Sequence, residues 1–416
     1  MSGLLSYDVI VEILCCLPVK TLLRLRCVSK ELCSLVDSCY FEDLQLTRSI
    51  RNNNNAMLVL MYQYYDEREG NRYRSPRPRH PDFYSYFYVD CYSLDQDNKG
   101  NLTRIKVGSC PLRRLPGFDL NQIFTGTFGD FVNDCVGCSN GVLCLSTKGR
   151  GLDLVNPLLT EKCHYDYPSA AAIKTGRDDT SCFYYDAPTH DFKVVILRSE
   201  TGKCKSQRWD ERLELYRLEG DNGFRMIQSY PLLDFDCNPG YDDTRPLFHN
   251  GALYWVGKAD QRAMKIIAFN LERDARCDKF GLPCQQNYGG RWETLGVLDG
   301  CLTATSYYYH GKEWEIWVMK EYGVQDSWTK LLRCETLKFS EISSPGSLRP
   351  LAYSKKGNKV LLERELSPSR HPTQLFWYDL KRKTVAKIKI PGVPKHFKVA
   401  VCVASLVNYK GTTTRN

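Results

Sequence analysis

A turn dipeptide followed closely by an apolar run recurs along the chain, and this repetition limits the fold more than any other feature. Asn140-Gly141 precedes Val142 and Leu143, Asn250-Gly251 precedes Ala252 and Leu253, Asp299-Gly300 precedes Cys301 and Leu302, and Lys356-Gly357 comes shortly before Val360 and Leu361. Asn-Gly and Asp-Gly suit the two-residue loop of a β-hairpin, in which both residues take positive φ. The steps between these turns are 110, 49 and 57 residues. If the first step spans two units, the repeat is roughly 55 residues long, in the range of propeller repeats. The missing turn then falls near Thr189, His190 and Asp191, just ahead of Phe192, Val194, Val195, Ile196 and Leu197.

Each unit has a second half, an alternating strand that ends in a polar turn. Cys91 to Leu94, Leu215 to Leu218, Ile267 to Leu271, Ile316 to Met319 and Phe376 to Leu380 are the examples. Several short strands per unit at this spacing describe the blade of a β-propeller. About six units are expected on the same pattern, the first from Met57 to Val107 and the last from Leu351 to Ile390. The last apolar run, Val399 to Val407, is placed to pair with the first unit and close the ring, leaving no long edge open. A pair of two-sheet sandwiches is the alternative architecture.

The first 46 residues are of another kind. Leu4, Leu5, Val9, Ile10, Val11, Ile13, Leu14, Leu17, Val19, Leu22, Leu23, Leu25, Val28, Leu32, Leu35 and Val36 crowd into a segment that seldom folds alone. Three short helices are expected, capped by Ser6, Thr21 and Ser29, with Pro18 stopping the first. On the first helix Val9, Ile10, Val11, Ile13 and Leu14 spread over more than half the circumference, wider than the single stripe an amphipathic helix needs. Something must cover the remainder, either the rest of the chain or another protein.

Two stretches of sequence resemble known families. The run from Asp8 to Leu14, then Leu17-Pro18-Val19-Lys20-Thr21-Leu22-Leu23-Arg24-Leu25-Arg26-Cys27-Val28-Ser29-Lys30, then Phe41 and Leu44, resembles the F-box of plant F-box proteins. Gly137 to Cys144, Val155-Asn156-Pro157, Gly296 to Leu302 and above all Ile316 to Lys330 resemble the F-box-associated domain, which is related to kelch propellers. The resemblance implies a three-helix F-box followed by a six-bladed, kelch-like β-propeller. It implies a non-catalytic, cofactor-free substrate receptor of an SCF-type ubiquitin ligase. The F-box would hold the SKP-type adaptor and through it cullin, and the propeller would hold a target protein for ubiquitination and proteasomal degradation. Carried onto this sequence, the adaptor-binding residues are Leu5, Val9, Ile13, Leu14, Leu17, Pro18, Val19, Leu22, Leu23, Cys27, Val28, Ser29, Lys30 and Leu32. Two positions depart from the family pattern. Ser6 stands where Pro is usual, and Leu32 where Trp is usual.

At 416 residues the chain has room for this division: 1–46 for the F-box, 47–135 for a connector and first blade, 136–407 for the remaining blades, and 408–416 for a flexible tail. No stretch approaches the run of apolar residues needed to span a membrane, and the start lacks a secretory pattern. A soluble protein of the cytoplasm, the nucleus or both is expected. Lys381-Arg382-Lys383 is too short to choose between them. The 19 cysteines are scattered from Cys15 to Cys402 and are expected to be reduced, mostly buried thiols. Cys135 and Cys138 have the spacing of half a zinc site, but no second pair accompanies them and neither Cys144 nor Cys163 completes a pattern. The net charge of +9 is concentrated at the C-terminal end, where residues 355–416 hold 14 Lys and Arg against Glu363, Glu365 and Asp379. Such a bias favours acidic partners, and equally it discourages pairing at strand edges.

Other motifs carry little. Gly137-Cys138-Ser139-Asn140-Gly141 fits the nucleophile-elbow pattern of α/β-hydrolases, yet that elbow needs a helix next, and a strand-like run comes instead. His80, His164, His190, His249, His310, His371 and His396 show no metal-ligand spacing. Residues 66–82 form a basic, proline-rich insertion between Tyr62, Tyr64 and Tyr65 on one side and Phe83, Tyr84, Tyr86, Phe87 and Tyr88 on the other. Stacking on single-stranded nucleic acid is conceivable there, but a loop between two aromatic strands is the better reading. Target choice is expected in inter-blade segments such as 198–212, 234–245 and 282–292. A propeller enzyme, a sugar-binding protein and an adaptor-independent scaffold are the competing functions.

Overall fold

The computed structural model describes residues 6–52, 56–65, 85–96, 102–105, 134–147, 151–159, 161–166, 180–186, 189, 191–200, 210–219, 223–231, 246–260, 263–271, 277–283, 290–308, 310–335, 346–365, 373–394 and 397–407. Four helices open the chain: α1 (Tyr7–Cys15), α2 (Val19–Leu25), α3 (Lys30–Val36) and α4 (Cys39–Asn52). Three were expected, and α4 is the addition. It begins after Ser38, whose Oγ accepts the Phe41 N–H at 3.3 Å. Its inward stripe is Phe41, Gln45, Leu46 and Ser49. Two of these are polar and bond each other, Gln45 Nε2 to Ser49 Oγ at 2.8 Å, so the stripe is hidden from a purely apolar pattern. The expected boundary at residue 46 falls inside this helix.

The expected caps divide. Ser29 does cap α3, its Oγ accepting the Leu32 N–H at 3.2 Å. Ser6 takes the extended N-cap backbone of α1 but makes no cap bond with its side chain. Thr21 lies within α2, which starts at Val19 because Pro18, with φ −59°, supplies the N-terminal geometry itself.

Beyond the helices stand six four-stranded antiparallel sheets. The first contains β1 (Ala56–Tyr65), β2 (Ser85–Gln96) and β3 (Leu102–Ile105). The second contains β4 (Asp134–Ser139), β5 (Val142–Thr147), β6 (Gly151–Asn156) and β7 (Glu161–Asp166). The third runs through β8 (Thr180–Asp186), β9 (Asp191–Glu200), β10 (Asp210–Glu219) and β11 (Gly223–Pro231). The fourth has β12 (Leu247–His249), β13 (Ala252–Asp260), β14 (Ala263–Asn270) and β15 (Cys277–Gly281). The fifth has β16 (Gly290–Leu298), β17 (Cys301–Tyr308), β18 (Glu313–Met319) and β19 (Trp328–Glu335). The sixth has β20 (Ser347–Tyr353), β21 (Lys359–Glu365), β22 (Gln374–Asp379) and β23 (Thr384–Lys387). A last strand, β24 (Lys398–Val403), returns to the first sheet and pairs antiparallel with β1, Met57 facing Cys402 and Leu60 facing Val399.

The result is a six-bladed propeller closed by its own C-terminal end, as the repeat predicts. Each of the four recurring turns joins the first and second strands of a blade. Asn140, Gly141, Asn250, Gly251, Asp299 and Gly300 all have positive φ, which gives the hairpin twist that matches the flanking strands. The missing turn lies where expected, between Asp186 and Asp191, which face each other at the end of the β8–β9 ladder. All five alternating segments fall on the third strand of a blade: β2, β10, β14, β18 and β22.

The core sits between neighbouring blades. Cys182, Tyr184, Leu213 and Leu215 of the third blade pack on Leu253, Trp255, Ile267 and Phe269 of the fourth. Burying one such large aliphatic or aromatic side chain is worth about 1.5–3 kcal/mol. Among the described residues eleven cysteines are free, as expected, and one pair departs from the expectation: Cys138 of β4 and Cys402 of β24 are joined as a disulfide with Cα atoms 6.0 Å apart. That bond also takes Cys138 out of any zinc site. The two residues are 264 positions apart and meet only when the ring closes, so spacing along the chain gives no hint of the pairing.

The β8–β9 hairpin is tied by a buried charge. Asp186 accepts from Thr189 Oγ1 at 2.5 Å and from Lys193 Nζ. Burial disfavours the carboxylate, but the Lys193 and Thr189 hydrogen bonds outweigh it and hold the group below the usual carboxylate range. Stability from this lowered pKa is therefore present above the unfolded value of about 3.9 and is lost as pH falls through the folded one. Lys193→Met is expected to cost about 2 kcal/mol at pH 7 by leaving a buried carboxylate short of its donor. Denaturant titrations at pH 7 and pH 3 check this, with the gap between variant and parent shrinking at the lower pH.

Candidate interaction surfaces

The helical module has an inside and an outside. Val11, Leu14, Cys15, Val19, Leu22, Leu35, Val36 and Phe41 form its core, together with Leu406 from the segment after β24. Leu17, Leu23, Leu25, Leu32 and Leu44 pack partly against that core, as do Leu158 and Ala404 of the propeller. Burial pushes the Cys15 thiol up to about 11, with Cys16 adding to the shift. Arg48 of α4 donates to the Glu12 carbonyl at 3.1 Å and pairs with its carboxylate, holding α4 against α1. Arg26 and Asp37 make a two-bonded ion pair at 2.8 and 2.9 Å that ties the end of α2 to the end of α3.

Of the residues expected to meet an adaptor, Val9 and Ile13 lie one turn apart on α1 and are 42% and 50% exposed. Val28, between α2 and α3, is 67% exposed. Pro18, Cys27 and Lys30 are exposed as well. Leu17, Leu23, Ser29 and Leu32 are half-buried. Leu14, Val19 and Leu22 are buried in the module's own core. Leu5 lies outside the described residues. The sequence pattern does not point to Tyr7, Tyr40 and Ile50, which are 62%, 66% and 53% exposed. Tyr40 and Ile50 belong to α4, and Ser38, a good helix-capping residue ahead of them, is the signal that could have revealed it.

The propeller has two unlike faces. The ends joining first to second strands and third to fourth strands lie on the face that carries the helices. Connections there are short, the longest being 320–327. On the opposite face lie the strand ends that flank residues 66–84, 106–133, 167–179, 201–209, 232–246, 282–289 and 336–346. The three segments expected to choose the target all flank strand ends on this second face, although most of their residues are outside those described. The basic, proline-rich insertion is likewise outside them. Ser139 of the elbow-like motif is followed by the Asn140-Gly141 turn and β5, and its Oγ accepts the Tyr185 N–H at 2.9 Å, so its place is that of a hairpin residue.

A family model described as the F-box-associated beta propeller domain matches residues 120–411, and the F-box domain model matches residues 4–44. The chain belongs to the F-box-associated β-propeller family. F-box protein CPR1 of Arabidopsis thaliana is 27% identical to it over 96% of this chain and 88% of its own length. F-box protein DOR of the same plant is 25% identical over 93% and 88%. Among solved structures, an oligogalacturonate lyase in complex with manganese aligns over 73% of each chain at a TM-score of 0.36 and 14% identity, too distant to carry any argument. An F-box joined to such a propeller has the general form of a substrate receptor, and plant F-box proteins are its relatives over nearly the full length. Among the described residues, no helix is long and apolar enough to cross a membrane.

Proposed function

We propose that this chain is the substrate-recognition subunit of an SCF-type ubiquitin ligase, non-catalytic itself, with the F-box holding a SKP-type adaptor and through it cullin. The observation that carries this reading is the pair Val9 and Ile13, left exposed one turn apart on a helix whose other side, Val11, Leu14 and Cys15, is used in packing. The propeller covers part of the module through Leu158, Ala404 and Leu406, yet Val9 and Ile13 stay uncovered. The target protein binds on the propeller face opposite the helices, where the strand ends bearing the longer connections stand. Catalysis is proximity, since holding a target lysine near a charged conjugating enzyme raises its local concentration without an active-site residue in this chain. Residence in the cytoplasm, the nucleus or both accords with this role, and degradation of the captured target is its outcome.

The test is co-purification of the full chain with a SKP-type adaptor and cullin, which is expected to give a stable ternary complex. Failure of the intact chain to bind the adaptor removes the reading. Proximity labelling with the full chain carrying Val9→Glu and Ile13→Glu is then expected to enrich target proteins that accumulate because they are captured and not modified.

A further inference from the structure

We infer that Cys138 and Cys402 form a redox latch on the ring seam, one that sets how firmly the helical module is seated on the propeller; this rests on the proposed role in which module and propeller act as one intracellular receptor. The bond joins β24, the closing strand of the first blade, to β4, the first strand of the second blade, where the two blades stand side by side.

The residues just after Cys402 make the position consequential. Four residues on, Leu406 is buried in the core of the helices, and Val407 packs with Leu46 of α4 against Val142 and Leu154 of the second blade. Ser405 Oγ donates to the Asn140 carbonyl at 2.5 Å, two residues after Cys138. Asn156 Nδ2 donates to the carbonyls of Ser405 at 3.2 Å and Val407 at 2.9 Å. A shift of β24 relative to β4 therefore pulls on the plug that holds the module in place. In the cell interior most disulfides are transient and catalytic or redox-sensing, which fits a reversible bond here better than a permanent one.

The chemistry starts at Cys138. It is half-buried, whereas Cys402 is 2% exposed. Cys91 packs in the same cluster but is 2% exposed, and burial pushes its thiol up to about 12, so it stays out of the exchange. With glutathione disulfide as oxidant, the Cys138 thiolate attacks one glutathione sulfur and releases a glutathione thiolate. The Cys402 thiolate then attacks the Cys138 sulfur of the mixed disulfide and releases the second. Two protein thiols are oxidised, one glutathione disulfide is reduced to two glutathione molecules, and the two protons lost by the protein thiols pass through solvent to the glutathione thiolates. Excess reduced glutathione runs the same steps backward. Once reduced, β24 keeps its ladder to β1 but loses its covalent tie to β4.

The full chain, co-expressed with a SKP-type adaptor, is equilibrated in glutathione buffers from fully reduced to fully oxidised. Peptide mass spectrometry follows the 138–402 link and hydrogen exchange follows residues 398–407 and α4. The expected result is a reversible link, with exchange in both segments rising about tenfold on reduction. Cys138→Ser is expected to exchange like the reduced chain in every buffer. Should that variant fail to fold, the two states of the unaltered chain make the same comparison. The latch is overturned if no buffer yields the linked peptide, or if the link forms and its loss leaves exchange in 398–407 and α4 unchanged. Absence of adaptor in every buffer strikes the receptor reading instead, while the link and the exchange pattern still decide the latch.

Discussion

Val9→Glu together with Ile13→Glu is expected to weaken adaptor binding more than a hundredfold while the propeller melts as before. Both side chains are half exposed on one stripe of α1, so the free protein tolerates the charges. In the complex the same carboxylates would be buried without partners, and loss of two central apolar contacts at an interface is worth on the order of 2 kcal/mol each. The measurement is a binding titration of the full chain against purified adaptor, paired with thermal unfolding. Charging Val19 is a poorer test. Val19 is 2% exposed, inside the core with Leu22 and Phe41, so a charge there breaks the module and removes binding for the wrong reason. Unchanged affinity in the Val9, Ile13 double variant would place the adaptor elsewhere.

Gly141→Ala is expected to destabilise the ring by about 3–4 kcal/mol, the sum of an unfavourable backbone and a clash. Gly141 has φ +80°, and an added Cβ would stand 2.6 Å from the Val403 carbonyl oxygen and 2.3 Å from Ser405 Oγ. The carbonyl is main chain at the end of β24, so it yields only if the closing strand moves. Gly300 is the control. It has φ +74° in the equivalent turn of the fifth blade, with open space where a Cβ would stand, so Gly300→Ala should cost only about 1 kcal/mol. Denaturant unfolding of both variants distinguishes the two effects. Equal losses would mean that the seam does not rely on that close approach.

How much could be read from the residues depends on how local each determinant is. The blades were legible because a hairpin turn announces itself in two residues, and Asn140-Gly141, Asn250-Gly251 and Asp299-Gly300 each sit where the first two strands of a blade must reverse. Ring closure was legible because an apolar run stood at the far end with nothing nearby to pair with. The fourth helix was hidden because Gln45 and Ser49 fill its inward stripe with a hydrogen bond instead of carbon. The division of the F-box leucines and valines into support and surface was not legible at all. Val9 and Val19 look alike in sequence, and only the packing of Phe41 and Leu406 from distant positions decides which is covered. The Cys138–Cys402 bond belongs to the same class of feature, created when the closing strand β24 comes to lie beside the second blade.

The partnership of β1 with β24 also sets an order of events in the cell. A chain leaving the ribosome exposes the strand from Ala56 onward long before Lys398 to Val403 have been made, and an unpaired apolar strand invites association with other chains. Blades two to six each hold all four of their strands in one continuous stretch and can assemble as they emerge. The first blade must wait until Lys398 to Val403 have been made, so a nascent molecule needs protection at β1 until its partner strand arrives.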